Sequence, residues 1–243
     1  MAHLYVGLSG YSYKPWQGAD RFYPETLKPK DFLAYYATRY RAVELDGTWY
    51  RMPSEQAVRA WAEQTPPNFI FAPKAHRQIT HLRRLKPEAI ESVHVMLARL
   101  APLAERGRLG PILLQLPPNL RRDDERLKTF LDQVPTHVRW AVEFRHASWN
   151  VPEVEAILRS FGVAWVAAET DETPAERRQT AAFCYARLRR SAYDDAALHD
   201  WAAWFMEAVG SGKDGFVFFK HEDEGSPWRW ADRLLELIAV SPS

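Results

Sequence analysis

Residues 140–149, Trp140-Ala-Val-Glu-Phe-Arg-His-Ala-Ser-Trp149, decide the fold. Trp140, Val142 and Phe144 alternate with Ala141, Glu143 and Arg145, the period of two that a pleated strand imposes. One face is therefore apolar, and the other ends in a carboxylate and a guanidinium. An ionic face is costly to bury, so it must be paired, solvated or in use. His146 and Trp149 follow in a short loop, and Asn150 and Pro152 supply an N-cap and first turn for a helix through Phe161. Charged groups at the C-terminal end of a strand that feeds a helix mark the place where α/β folds keep their sites.

Outward from this stretch, strand-like runs recur. With Arg139–Arg145 they are Leu4–Ser9, Ala42–Asp46, Phe69–Lys74, Pro111–Leu116, Val163–Ala168, Ala182–Leu188 and Gly215–Lys220. Helical patterns separate most of them: Lys30–Tyr40, Glu55–Gln64 behind Ser54, Pro87–Arg106 closing at Gly107, Asp124–Val134, Pro152–Phe161, Asp195–Val209, and Pro227–Val240 behind Ser226. Between Ala168 and Ala182 only a brief helical turn fits, around Pro174–Arg178. Eight strands with intervening helices predict a single (β/α)8 TIM-type barrel over residues 1–243, its sixth α-segment shortened. No Ser/Gly-rich linker or repeat divides the chain.

Composition narrows the function classes. The 243 residues are 47% hydrophobic and 26% charged, the balance of a globular protein with a large core. A net charge of +1 does not by itself call for a nucleic-acid or membrane partner. The 24 Arg against 8 Lys fit planar, bidentate recognition of carboxylates and phosphates, but a GC-rich genome produces the same bias and is the favoured cause. A single cysteine, Cys184 between Phe183 and Tyr185, excludes an internal disulfide and reads as an inert core thiol. No stretch approaches 18 apolar residues and no basic, then apolar, leader opens the chain, so we expect a cytoplasmic protein without a membrane partner.

The loops after the strands carry the unusual residues: Gly10-Tyr-Ser-Tyr-Lys-Pro-Trp16, Asp46 leading to Gly47-Thr-Trp-Tyr-Arg-Met-Pro53, Lys74 leading to Ile79-Thr-His81, Gln115-Leu-Pro-Pro118, Arg187-Leu-Arg189 and Phe219-Lys-His-Glu-Asp223. Loops at the opposite end are plain turns, which points to one functional mouth. Several of these stretches, with Gly7–Tyr13, Phe22-Tyr-Pro24, Phe71-Ala-Pro-Lys74 and Val142–Trp149, resemble the YecE-like family, a domain of unknown function, in order from about Val6 to Leu237. The resemblance implies a barrel similar in outline to those of endonuclease IV and xylose isomerase. It implies no reaction. This chain departs from the family at Arg187-Leu-Arg-Arg190, where many members have Arg-Leu-His-Gly, and at Phe219-Lys-His-Glu222, where many have Phe-Asn-Asn-Asp.

Glu44 and Asp46 share a strand face, as do Glu143 and Arg145, and Arg187 and Arg189. Buried ion pairs stabilise little better than apolar packing, so a functional mouth explains them better than barrel closure alone. We expect an enzyme of hydrolase or isomerase type, leaning to hydrolysis, on a small or polymeric anionic substrate that bears phosphate. Glu143, Glu44, Lys74 and His146 are the candidate catalytic groups, with Glu143 carrying the proton. Arg145, Arg187, Arg189 and Lys220 form the expected anion site, since loops after the last two barrel strands often hold phosphate. Gln115, Asp46, Tyr11, Trp49, Tyr50 and Trp149 complete the substrate-binding set. Glu143 and Glu44 are expected to matter for function more than for stability. No metal-binding motif occurs, though Glu44, Asp46, Glu143 and His146 could in principle hold Mg²⁺ or Mn²⁺. His81 and His221 are even between a role and none. The rival reading is a barrel that binds nucleic acid or a small ligand without catalysis, its tryptophans stacking bases.

Overall fold

The computed structural model describes residues 2–220 and 226–240. His221 and Glu222, weighed above, lie outside the described residues. Eight parallel strands, β1 (Leu4–Ser9), β2 (Ala42–Leu45), β3 (Ile70–Pro73), β4 (Ile112–Gln115), β5 (Trp140–Glu143), β6 (Ala164–Glu169), β7 (Phe183–Leu188) and β8 (Asp214–Phe219), pair in the order β3-β2-β1-β8-β7-β6-β5-β4. The two ends meet. Bridges Phe71↔Leu109 and Lys74↔Leu113, with the Ala75 N–H donating to the Leu113 carbonyl at 2.8 Å, close the β3–β4 seam. The result is the expected TIM-type barrel.

Between the strands run α1 (Phe32–Arg39), α2 (Gly47–Tyr50), α3 (Glu55–Glu63), α4 (Ala89–Ala104), α5 (Asp124–Gln133), α6 (Pro152–Ser160), α7 (Asp195–Gly210) and α8 (Pro227–Val240). Their starts follow local chemistry. The side chains of Ser54, Asp123 and Asp194 accept from backbone N–H groups three residues on, capping α3, α5 and α7. Two short elements, α2 and a π-turn at Gln78–Leu82, were not foreseen. Both sit on the mouth, where the chain turns to place side chains instead of spanning a layer.

Alternation splits the buried residues into two cores. Ala42, Ala72, Leu113, Ala141, Val166, Phe183, Tyr185, Phe216 and Phe218 fill the barrel, while Leu8, Val43, Phe71, Leu114, Val142 and Ala186 face the helices. Gly7 is needed where β1 meets β2: the Tyr36 hydroxyl enters there, accepting from the Leu8 N–H and donating to the Ala42 carbonyl, and a Cβ would overlap that carbonyl.

The segment between β6 and β7 departs from expectation, for it has no helical turn at Pro174–Arg178. Longer-range contacts hold it irregular: Arg177 lies 3.9 Å over Trp201 and Arg178 4.4 Å over Trp165. The Thr180 hydroxyl bridges the Val163 carbonyl and the Trp165 N–H. A strap thus stands where a sixth helix would precede β7.

Candidate active site

Period-two alternation aims Ser9, Glu44, Gln115, Glu143 and Arg187 into the C-terminal end of the barrel, and all five are buried. Arg187, 1% exposed, lies at the centre. Its Nε is 2.9 Å from Glu44 Oε2, its Nη2 2.7 Å from Glu44 Oε1, and its Nη1 2.6 Å from Glu143 Oε2. Glu44 also accepts from the Ser9 hydroxyl, and from the Tyr185 hydroxyl at 2.7 Å. Glu143 Oε1 accepts from Gln115 Nε2 at 2.8 Å and Arg145 Nε at 2.7 Å.

Burial would raise both carboxyl pKa values, but Arg187 and these donors outweigh it. Glu44 and Glu143 end below the ordinary carboxylate range. Both are ionised at neutral pH and weakly basic. A carboxylate held ionised in this way is a poor fit to the expectation that Glu143 carries the proton. Their oxygens are also committed to donors, which leaves little for a metal. Among the described residues no group of three or more His, Cys, Asp or Glu is placed to hold one.

Lys74 differs from every other ion here. It follows β3 and is 8% exposed, and Thr48 fixes its backbone by donating to its carbonyl at 2.6 Å. Its ammonium makes no hydrogen bond or ion pair among the described residues; it stands 5.1 Å over the Trp49 ring. Burial and the nearby Arg187 charge push it down to about 8, against the opposing pull of Glu44 and Glu143. The Trp49 indole N–H donates to His81 Nδ1 at 3.2 Å, which leaves the neutral ring's proton on Nε2. Burial and the charges of Lys74, Arg145 and Arg84 lower the His81 pKa, so the ring is neutral.

The proposed anion site divides. Arg187 is consumed by the carboxylates beneath the mouth and cannot grip a ligand as expected. Arg145 spends only Nε on Glu143; its Nη1 and Nη2 have no hydrogen-bond partner among the described residues. Lys220 stands 3.6 Å from Asp46, which also accepts from the Tyr13 hydroxyl at 2.9 Å. Gly10, at φ 90°, makes room for that tyrosine, whose ring a side chain there would strike. Arg189, just past β7, is half-buried.

Beside this cluster opens a cavity of about 1080 Å³, whose lining includes Tyr11, Tyr13, Asp46, Tyr50, Trp61 and Lys220. Tyr11, Tyr50 and Asp46 therefore face a space that can hold a ligand. Trp149 does not. It is 1% exposed, stacks on Phe144 at 4.8 Å and donates to the Leu120 carbonyl at 2.8 Å, a core residue behind β5. His146 caps the turn at Ala147–Trp149 by accepting from the Ser148 N–H and makes no hydrogen bond to the cluster. Tyr185 and Ser9 were missed, although they fall on the inward alternation of β7 and β1.

A (β/α)8 barrel whose mouth is floored by a buried Glu–Arg–Glu cluster, beside a lysine with no ion-pair partner among the described residues, is the class that fold and site define. Residues 5–243 match the family described as "Protein of unknown function DUF72", and the chain belongs to that family. It is 23% identical over 279 residues to the UPF0759 protein YunF of Bacillus subtilis (strain 168), covering 99% of this chain and 96% of that one. To the UPF0759 protein YecE of Escherichia coli (strain K12) it is 33% identical over 144 residues, 59% of this chain and 48% of YecE. The crystal structure of a DUF72 family protein from Thermotoga maritima MSB8 superposes with a TM-score of 0.84 at 28% identity, covering 98% of this chain and 99% of that one. No helix among the described residues is long and apolar enough to cross a membrane.

Proposed function

We propose that the protein is an enzyme that binds a small, phosphate-bearing anion at the barrel mouth and moves a proton on it through Lys74. The observation that carries this reading is the Lys74 ammonium, buried beside a saturated ionic cluster, with no counter-ion among the described residues and pushed down to about 8. A group that titrates near neutral pH can both take and return a proton. Arg145, with two terminal nitrogens to spare, and Lys220 at the cavity edge suit an oxyanion, which guanidinium binds in bidentate fashion. Isomerisation fits better than hydrolysis. The carboxylates that would activate water are both spent on Arg187.

Thermal melts at low salt test the binding half. Millimolar inorganic phosphate is expected to raise the melting temperature, and Arg145→Gln to remove most of that rise. Saturable turnover of a phosphate-bearing compound should fall about 10²-fold or more in Lys74→Met, the usual scale for a lost acid or base. The reading fails if phosphate leaves the melt unmoved. It also fails if the protein instead binds oligonucleotides with an affinity that collapses as salt rises.

A further inference from the structure

We infer that Lys74 is a nucleophile as well as a proton carrier: its amine forms an imine with the carbonyl of a phosphate-bearing aldehyde or ketone held at the barrel mouth. This inference rests on the function proposed above and names the substrate class of the same site. Among the buried ions of the mouth, Glu44, Glu143 and Arg187 are tied to one another by direct hydrogen bonds. Lys74 alone among them has no polar partner among the described residues. The lysine is 8% exposed, so it is not sealed from the mouth. A lysine kept as a structural counter-ion would sit against a carboxylate. This one sits against the face of Trp49, a surface that supports an apolar carbon framework as readily as a cation.

The electrostatics agree with that placement. Desolvation and a neighbouring cation are the two devices by which proteins keep a lysine amine nucleophilic, and both act on Lys74. At pH 7 the neutral fraction of an amine at about 8 exceeds that of an ordinary lysine on the order of 10²-fold. Arg145 follows β5, two strands round the barrel from Lys74, and its terminal nitrogens, without a partner among the described residues, suit the phosphate.

The step balances without a redox partner. The neutral Lys74 nitrogen adds to the carbonyl carbon and breaks the C–O π bond. The cationic nitrogen of the adduct gives up a proton and the oxygen takes one up, giving a neutral carbinolamine. A second proton on that oxygen lets it leave as water while the nitrogen lone pair forms the C=N bond. The net change is ammonium plus carbonyl to protonated imine plus water, with no change in charge. His81, a neutral ring against the same indole, is the group to which this inference gives the transfer of the nitrogen's proton to the departing oxygen. A protonated imine acidifies the adjacent C–H bond, so the same adduct serves the proton transfer proposed above.

Reductive trapping on the wild-type protein tests the inference. The protein is treated with borohydride in the presence of dihydroxyacetone phosphate, and the modified lysines are mapped by peptide mass spectrometry. One stoichiometric secondary amine at Lys74 is expected, forming on the order of 10²-fold faster at pH 7 than at surface lysines and suppressed by excess glycerol 3-phosphate. Two further outcomes separate this inference from the function it rests on. If glycerol 3-phosphate raises the melting temperature but Lys74 is trapped no faster than surface lysines, the imine is overturned and the phosphate reading stands. If Lys74 is trapped equally by dihydroxyacetone and glycerol 3-phosphate gives no protection, the imine stands and the phosphate reading falls.

Discussion

The two ends of the barrel interior solve the same packing problem differently. At the N-terminal end Tyr5, Phe183 and Phe216 close the floor. Tyr5 stacks on Phe216 at 5.0 Å, and Arg139 lies 4.9 Å over Phe216 while pairing with Asp214 at 2.8 Å. That ion pair stays at the rim, with side chains 36% and 29% exposed, so neither charge is fully desolvated. At the C-terminal end an arginine and two glutamates are taken out of water altogether. Aromatic packing plugs the floor without a fully buried charge, so an ionic plug is not the one way to close an end of this barrel. Under the proposed function, the floor serves stability and the mouth serves chemistry.

The largest expected break of this contrast is Arg187→Met. Removing the cation strands two buried carboxylates, and truncating one partner of a buried pair costs about 3–5 kcal/mol. Chemical denaturation should show a loss of that size or outright failure to fold. The triple change Glu44→Gln, Glu143→Gln, Arg187→Met removes all the charge and should recover most of the stability. If the triple variant is as weak as the single one, the network is a structural necessity and the contrast is lost.

Acid sharpens the same point. Glu44 and Glu143 lie below their unfolded pKa in the folded chain, so the unfolded chain binds more protons as pH falls. Their contribution is therefore full above the unfolded carboxylate value of about 4.3 and is lost progressively below it. Denaturation midpoints between pH 7 and 3 should drop steeply, and the slope should flatten in Glu143→Gln. An unchanged slope in that variant means the acid sensitivity resides elsewhere.

Lys74 obeys the opposite sign. Its folded pKa is lowered to about 8, so the folded chain holds its proton less firmly than the unfolded one. The burden is fully present below pH 8 and lifts as pH rises toward the unfolded value of about 10.4. Lys74→Met should stabilise the protein at pH 7 by about 1–3 kcal/mol while abolishing function. The gain should shrink above pH 8. A destabilised Lys74→Met at pH 7 would show that the lysine serves the fold.

Some of this was legible in the chain and some was not. Alternation within each strand was enough to aim Glu44, Glu143 and Arg187 inward and to set Val142 outward, because a strand's face is a local property. The same rule reaches Tyr185, two residues before Arg187, and Ser9, which ends β1. Which cation meets which carboxylate is not local. Glu44 and Arg187 are 143 positions apart, and only barrel closure brings them together. That is why a guanidinium expected to hold a ligand is already occupied, and why Lys74 emerges as the ion left over. Trp149 misled for a similar reason. Its loop position suggested exposure, but its indole N–H is claimed by Leu120, 29 positions away.

The smallest expected effect is at the floor. Arg139 has one partly exposed carboxylate partner, and such pairs contribute between nothing and about 1 kcal/mol. Its aromatic contacts add at most about 1 kcal/mol, and part of that returns when a methionine packs on the same rings. Arg139→Met should therefore move stability by less than about 2 kcal/mol, and should leave phosphate-dependent stabilisation and trapping at Lys74 untouched. The floor is separated from the mouth by the packed layers of Ala72, Val166 and Phe218, which offer no charged path between the two ends. Melting curves of Arg139→Met with and without phosphate decide the matter. An equal phosphate shift in variant and wild type upholds the division of labour. A shift that vanishes with Arg139 would mean that the two ends work as one unit.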